Sequence, residues 1–200
     1  QEYERGTISA EVDERAMHEI YFPAFSAAVQ EAGCWAVMCA YNRINGTYCA
    51  ENNYLLNETL KSRWGFKGLV MSDWGAVHST LPTVNGGLDL EMPTGEFVNR
   101  NLITAVKNGQ VKEEVINDKI RRMLRAMFSL GFFDKQSPAD PQIIQSEEHK
   151  TITRKLAESG IVLLKNDINL LPIDSGKIKS IAVIGPNAAI CRFGGGGSSQ

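Results

Sequence analysis

"GLVMSDWGAVHS", Gly68 to Ser79, runs an apolar stretch into a single aspartate and sets an indole beside it. Leu69, Val70 and Met71 read as a buried strand. Asp73 and Trp74 fall at its carboxyl end, and the small residues after them suit a turn into a helix. An aspartate so placed either caps the next helix, a position Asp favours, or projects a carboxylate into a pocket at the strand ends. Spacing alone weighs the two about equally.

The pattern recurs on both sides. "CWAVMCAY" (34–41) is a continuous apolar run and reads as a buried strand, and "GLDLEM" (87–92) as a third. Between the first two, "YLLNETLKSRWG" (54–65) places Leu56, Leu60 and Trp64 on one helical stripe closed by Gly65. "AVHSTLPTVNG" predicts a short helix after Asp73. Upstream, residues 11–32 carry Ala16, Ile20, Ala24, Ala28 and Ala32 at helical spacing, with a kink or break at Pro23 and a stop at Gly33. Downstream, a helix near 97–108 precedes a long one over 112–130. In the long helix Ile116, Ile120, Met123, Leu124 and Met127 should face inward, and Gly131 should cap it.

Buried strands alternating with helices imply a parallel sheet covered by helices. Three such units make half of an eightfold barrel or much of an open doubly wound sheet. "FFDKQSPADPQ" (132–142) reads as a polar linker. Ser146-Glu-Glu opens another helix, with acids where the helix dipole favours them. "IVLLKN" (161–166) and "IKSIAVIGPN" (178–187) are expected as strands of a second α/β unit.

The 200 residues carry 21 basic and 23 acidic side chains, a net charge of −2. That balance lacks the basic footprint of a nucleic-acid binder, and no apolar run approaches the roughly 20 residues of a membrane span. No initiator Met or signal segment is visible, so an internal piece of a longer protein is expected. Cys34, Cys39, Cys49 and Cys191 have no metal-ligand spacing; Cys39 and Cys49 could pair, which leaves the redox compartment open. Asn45 and Asn57 match the short glycosylation pattern, which is common by chance.

The strand ends would gather Cys39 to Arg43, Ser72-Asp73-Trp74, and Asp89 to Pro93. That rim is rich in carboxylates, amides and aromatic groups. Such a set suits a sugar: carboxylates bond hydroxyls and stabilise an oxocarbenium-like centre, and indole faces pack on the C–H faces of a pyranose. Asp89 and Glu91 have a stronger structural reading, as partners of backbone or basic groups. His18, His78 and His149 are scattered and read as solvated or core residues. "IAVIGPNAA" lacks the second glycine of a dinucleotide loop and "GGGGSS" lacks the lysine of a phosphate loop, so neither supports a nucleotide site.

The motifs "VMSDWGA", "VMCAYNRING", "GLDLEMP", "SGIVLLKND…LLP" and "IAVIGPNA…GGGGS" resemble, in order and spacing, the β-glucosidases of glycoside hydrolase family 3; "DERAMHEIYFPAF" resembles a helix preceding them. The resemblance implies an α/β chain holding the C-terminal half of a (β/α)8 TIM-like barrel (1–131), a linker (132–148) and the start of an α/β sandwich domain (149–200). It implies an exo-acting, retaining β-glycosidase, most simply a β-glucosidase, with Asp73 as nucleophile. Met38 and Tyr41 would line the glycone subsite, Trp74 would wall it, and Ser198 would reach over from the second domain. The acid/base glutamate would lie beyond Gln200 and a substrate-binding Lys-His pair before Gln1.

Related β-xylosidases tend to carry Cys after the nucleophile and the hexosaminidase branch Asp, so Trp74 points to glucosides. The implied partner is a small carbohydrate, a β-glucoside or cello-oligosaccharide, with no cofactor, metal, nucleic acid or membrane span. A periplasmic or secreted location is favoured over a cytoplasmic one by the family's habits and by no residue here. The alternatives are a β-xylosidase of the same family, a non-catalytic sugar-binding homologue, and a barrel lyase or aldolase using Asp73 as a base. The last would want a Schiff-base lysine or a metal at a strand end, and neither is visible.

Overall fold

A computed structural model describes residues 2–134 and 140–190. The chain divides into two compact units, residues 1–137 and 138–200. The first unit runs β1 (Ser9–Ala10), α1 (Glu14–Ala16), a wide helical segment (Met17–Tyr21), α2 (Phe22–Gln30), β2 (Ala36–Cys39), β3 (Arg43–Ile44) and β4 (Thr47–Tyr48). A second wide helix (Tyr54–Arg63), β5 (Leu69–Ser72), α3 (Leu81–Gly86), α4 (Asn101–Lys107) and α5 (Glu113–Ser129) follow. The second unit has one α-helix among its described residues, α6 (Glu147–Gly160).

Strands β2 and β5 pair in parallel, with Met38 opposite Met71 and Cys39 opposite Ser72. The expected third strand contributes one parallel bridge, Leu90 to Met71. The Leu90 amide donates to the Val70 carbonyl at 3.1 Å and the Ser72 amide to the Leu90 carbonyl at 2.9 Å. Sequence order, parallel direction and intervening helices therefore agree with an α/β fold. A small sheet unanticipated from sequence joins β1 to β3 in parallel and β3 to β4 antiparallel. Asn45-Gly46, both at positive φ, make the β3–β4 turn. The Asn45 side chain bonds the Val12 amide and carbonyl at 2.8 and 2.9 Å, so the glycosylation match at Asn45 falls on a side chain already engaged.

The reading of β2 as buried on both faces is corrected. Cys39 is buried and Val37 half-buried, while Ala36 and Met38 on the other face are exposed. The helical stripe over residues 11–32 is corrected too. Met17 is buried, but Ile20 is 71% exposed, and Ala24 and Ala32 are exposed. Around Met17–Tyr21 the Phe22 amide bonds the carbonyl five residues back. Each such wide turn rotates the following residues out of the 3.6-residue stripe, and it sits just ahead of Pro23, which has no N–H to give.

In α5, Ile120, Leu124 and Met127 are exposed, whereas Lys119 and Ala126 are buried and Ile116 packs on a cluster of Val84, Ala105 and Val111. The inward face is shifted because polar side chains on it have backbone carbonyls to bond. Lys119 donates to the Leu88 carbonyl, Arg122 to the Phe66 and Gly68 carbonyls at 2.7 and 3.2 Å, and Arg125 to the Lys67 carbonyl at 2.7 Å. Gly131 has φ +72° just past α5, as expected of a cap.

The main core gathers Cys39, Ala50, Leu56, Leu60, Phe66, Val70 and Leu88 between β2, β5 and the Tyr54–Arg63 helix. Beside it Lys61 and Asp89 form an ion pair at 2.6 Å, with side chains 8% and 0% exposed. Gly68 leaves no room for a Cβ, which would collide with the Trp35 carbonyl. The cysteines at 34, 39 and 49 are free, so the suggested Cys39–Cys49 pairing is not made. Burial pushes the Cys49 thiol up to about 11 and Cys39 higher still, which holds both as inert thiols.

In the second unit, Ser146 caps α6 by accepting from the His149 amide at 3.3 Å. The segments expected as strands at 161–166 and 178–187 are exposed and unpaired as strands among the described residues. An apolar run becomes a strand only with a neighbour to complete its ladder. Here Asn166 instead brackets a loop, donating to the Leu171 carbonyl and accepting from its amide at 2.8 and 3.1 Å.

Candidate active site

Asp73 directly follows β5 and is half-buried. Its amide donates to the Cys39 carbonyl at 3.2 Å, and its carbonyl accepts from the Ala76 amide at 3.1 Å, which closes a tight turn. Gly75 takes φ +72° in that turn, and its amide donates to the Met92 carbonyl at 3.1 Å. Ser72, fully buried, accepts the Met92 amide on its Oγ at 2.9 Å. The next helix starts after Thr80, which makes no side-chain capping bond, so Asp73 is not the cap of that helix. The carboxylate instead accepts from the Trp74 amide at 2.7 Å.

Tyr41 and Trp74 are placed against the Asp73 carboxylate, and Met38 sits on β2 next to Cys39, the backbone partner of Asp73. Met38 and Trp74 are 54% and 55% exposed. Tyr41 follows β2, and its hydroxyl faces the Asp73 carboxylate. Desolvation, then hydrogen bonding to Asp73 and the charge of that carboxylate, push the hydroxyl above its ordinary value. The phenol is thereby kept protonated, able to donate. The Arg5 guanidinium lies 4.8 Å over the Tyr41 ring and pulls the other way. Sequence reasoning missed Arg5, because nothing in its spacing links it to β2; only the fold brings it there. Ser198 lies outside the described residues.

The stacking of His78 on Tyr48 was not anticipated, whereas backbone and basic partners for Glu91 and Asp89 were. His78 stacks on Tyr48 with ring centroids 3.8 Å apart, and Arg43 covers the same ring at 4.3 Å. Glu91 is buried and accepts from the amides of Phe97 and Val98, at 3.1 and 2.6 Å on one oxygen. Asp89 is turned away from the rim, to Lys61 and the Val70 amide. A cavity of about 380 Å³ lies between the Met17–Gln30 region and β2, lined by apolar groups such as Phe22, Val37, Leu56 and Trp64. Asp73 does not line it, whereas Met38 does, and Asn42 and Thr59 are among its polar lining residues. Among the described residues no cluster of His, Cys, Asp or Glu is placed to hold a metal ion, and no helix is long and apolar enough to cross a membrane.

Chemically, the cluster offers a carboxylate held by its neighbours' backbone, a phenol donor beside it, and an open indole and thioether. Residues 2–126 match the family described as Glycosyl hydrolase family 3 N terminal domain. The whole chain is 47% identical to a β-glucosidase of Rhizobium radiobacter and covers 24% of it. It is 38% identical to an exo-α-(1→6)-L-arabinopyranosidase of Bifidobacterium breve and covers 27% of that protein. Among solved structures, the β-D-glucoside glucohydrolase from Trichoderma reesei superposes with a TM-score of 0.77 at 40% identity, over 86% of this chain and 25% of that one. The chain thus spans about a quarter of the length of these relatives. Matched over more than half its length by that family, and folded like its solved members, the chain belongs to glycosyl hydrolase family 3.

Proposed function

We propose that the chain is the nucleophile-bearing part of a retaining exo-β-glycosidase acting on β-glucosides. Residues 1–131 would form the C-terminal half of a (β/α)8 barrel, 132–148 a linker, and 149–200 the start of an α/β sandwich. The observation that carries the reading is Asp73 itself. It is a strand-end carboxylate freed from capping, between an exposed indole and a phenol donor.

Asp73 attacks the anomeric carbon while an acid supplied from outside this chain protonates the departing glycosidic oxygen. The C–O bond to the aglycone breaks and a glycosyl ester of Asp73 forms. Water, deprotonated by the same outside group, then releases the sugar with retained configuration. Tyr41 donates to Asp73 or to the sugar, and Trp74 and Met38 pack on the glycone. Ser198 joins that subsite by resemblance alone.

The test is Asp73→Asn in the complete enzyme carrying this segment. Folding should be intact and aryl β-glucoside hydrolysis nearly abolished. Azide or formate should rescue Asp73→Gly or Asp73→Ala and give an inverted product. Near-normal turnover of the variant would reject Asp73. The arabinopyranosidase relative favours a second glycone reading, because L-arabinopyranose lacks the hydroxymethyl group of glucose; paired assays on both aryl glycosides decide between them.

A further inference from the structure

We propose that Glu91 is a positioning residue for the reaction at Asp73, acting through the Met92–Val98 loop. The inference rests on the reading of Asp73 as nucleophile.

The carboxylate is buried at the end of the bridge formed by Leu90. It accepts the Val98 amide at 2.6 Å and the Phe97 amide at 3.1 Å on one oxygen, and Phe97 again at 3.2 Å on the other. Those bonds close the loop that starts at Met92. The loop is held on its far side as well, where the Thr80 hydroxyl donates to the Phe97 carbonyl at 2.8 Å. Phe97 packs on the main core and Val98 on the second cluster. Glu91 therefore anchors a loop seated on both apolar clusters.

The residue next to Glu91 grips the reactive turn from both ends. Met92 donates its amide to the Ser72 hydroxyl at 2.9 Å, one residue before Asp73. It accepts the Gly75 amide at 3.1 Å, one residue after Trp74. Asp73 and Trp74 are thus suspended between two bonds to a single residue, whose place is fixed by the Glu91 loop. A loosened loop shifts the attacking oxygen and the sugar-facing indole together. Misplacement of about 1 Å at a reacting atom costs on the order of 100-fold in rate.

The work of Glu91 is hydrogen-bond acceptance at a given reach, not proton transfer. A glutamine oxygen at the same reach can accept both amides, whereas aspartate keeps the charge but falls one methylene short. In the complete enzyme, kcat and KM on an aryl β-glucoside should be measured for Glu91→Gln, Glu91→Asp and Glu91→Ala. Each kcat is normalised to sites titrated with a 2-deoxy-2-fluoroglucoside, so that loss of folded protein does not count as loss of rate.

The expected order is Glu91→Gln within about 3-fold of wild type, with Glu91→Asp and Glu91→Ala down by about 10–100-fold in kcat per titrated site. The pH profile of Glu91→Gln should match wild type. An aspartate variant faster than the glutamine variant, or a lost pH limb in the latter, would make Glu91 an ionising participant and overturn the proposal. Equal kcat per site in all three would reduce it to a structural residue and overturn it too. If Glu91→Ala does not fold, the Gln-to-Asp comparison decides alone. Failure of the wild-type enzyme to trap the fluorosugar on Asp73 would instead sink the nucleophile reading, a separate outcome.

Discussion

The amide of Asp73 donates to the carbonyl of Cys39 at 3.2 Å, so the ends of β5 and β2 are tied at the point where both chains leave the sheet. Met38 precedes Cys39, Tyr41 lies two residues after it, and Trp74 follows Asp73. One backbone bond therefore ties the two strand ends that carry the four described residues proposed for the glycone site.

Tyr41 provides a pH test. Desolvation first, then the hydrogen bond to Asp73 and the charge of its carboxylate, raise the phenol above its ordinary value of 10.0. A raised value keeps the donor protonated through the neutral and mildly alkaline range, with ionisation only above the usual tyrosine range. Ultraviolet difference titration, with Tyr41→Phe as the subtraction blank, should show one phenol titrating late. In Asp73→Asn that phenol should titrate earlier. An unmoved titration would separate the two groups.

Trp74 tests sugar choice. On the proposed reading of Trp74 as a wall of the glycone subsite, Trp74→Cys should shift preference from glucoside towards xyloside or arabinopyranoside, because the indole face that would pack on the sugar and its hydroxymethyl group is lost. One or two lost apolar contacts are worth roughly 1–3 kcal/mol, about 10–200-fold in the ratio of kcat/KM values. Both substrates should be assayed on wild type and variant; a constant ratio removes Trp74 from specificity.

The buried Lys61–Asp89 pair should matter for stability and not for chemistry. Asp89→Asn leaves the Lys61 ammonium buried without its counter-charge, a loss of about 3–5 kcal/mol. The denaturant midpoint should fall, while kcat of the molecules that remain folded stays near wild type. A midpoint unchanged within error would mean that Lys61 escapes to water.

Lys119 sets a different pH dependence. Burial, with help from the Lys61 charge, lowers it from 10.5 to about 8, while Asp89 and Asp118 oppose the shift. A lysine lowered in the folded state loses its proton there first, so between about 8 and 10.5 the unfolded chain holds more protons. Its contribution to stability must rise with pH across that window and be flat below it. The difference in unfolding free energy between wild type and Lys119→Met, followed by denaturant titration at several pH values, should move in favour of wild type from pH 8 to 10. A flat difference would contradict the buried ammonium.

Much of this architecture is legible in the chain. Parallel β2 and β5, the helix between them and the strand-end place of Asp73 follow from apolar runs punctuated by glycine, which are local signals. What escaped reading was set by partners far along the chain. The inward face of α5 turns on Lys119 and Arg122 meeting carbonyls at 88, 66 and 68, which no hydrophobic periodicity encodes. The stripe at 11–32 failed because one wide turn ahead of Pro23 changes the period without any apolar residue being out of place. Arg5 over Tyr41 was invisible for the same reason: it is a contact of the fold, not of the sequence. Glu91 was correctly read as structural in its partners, but its hold on the reactive turn appears only through Met92.

Arg122 and Arg125 reach back to the carbonyls that precede β5 across 56 and 58 residues of chain. That distance is also a delay. At synthesis rates of about 5–20 residues per second, the strand that bears Asp73 emerges roughly 3–12 s before these arginines exist. Through that interval its leading carbonyls must be bonded by water, and closing so long a loop is entropically slow once the partners arrive. The strand that precedes Asp73 is therefore made well before the arginines that bond the carbonyls leading into it. Substitution of Arg122 should lower the yield of folded chains far more than the activity of those that succeed.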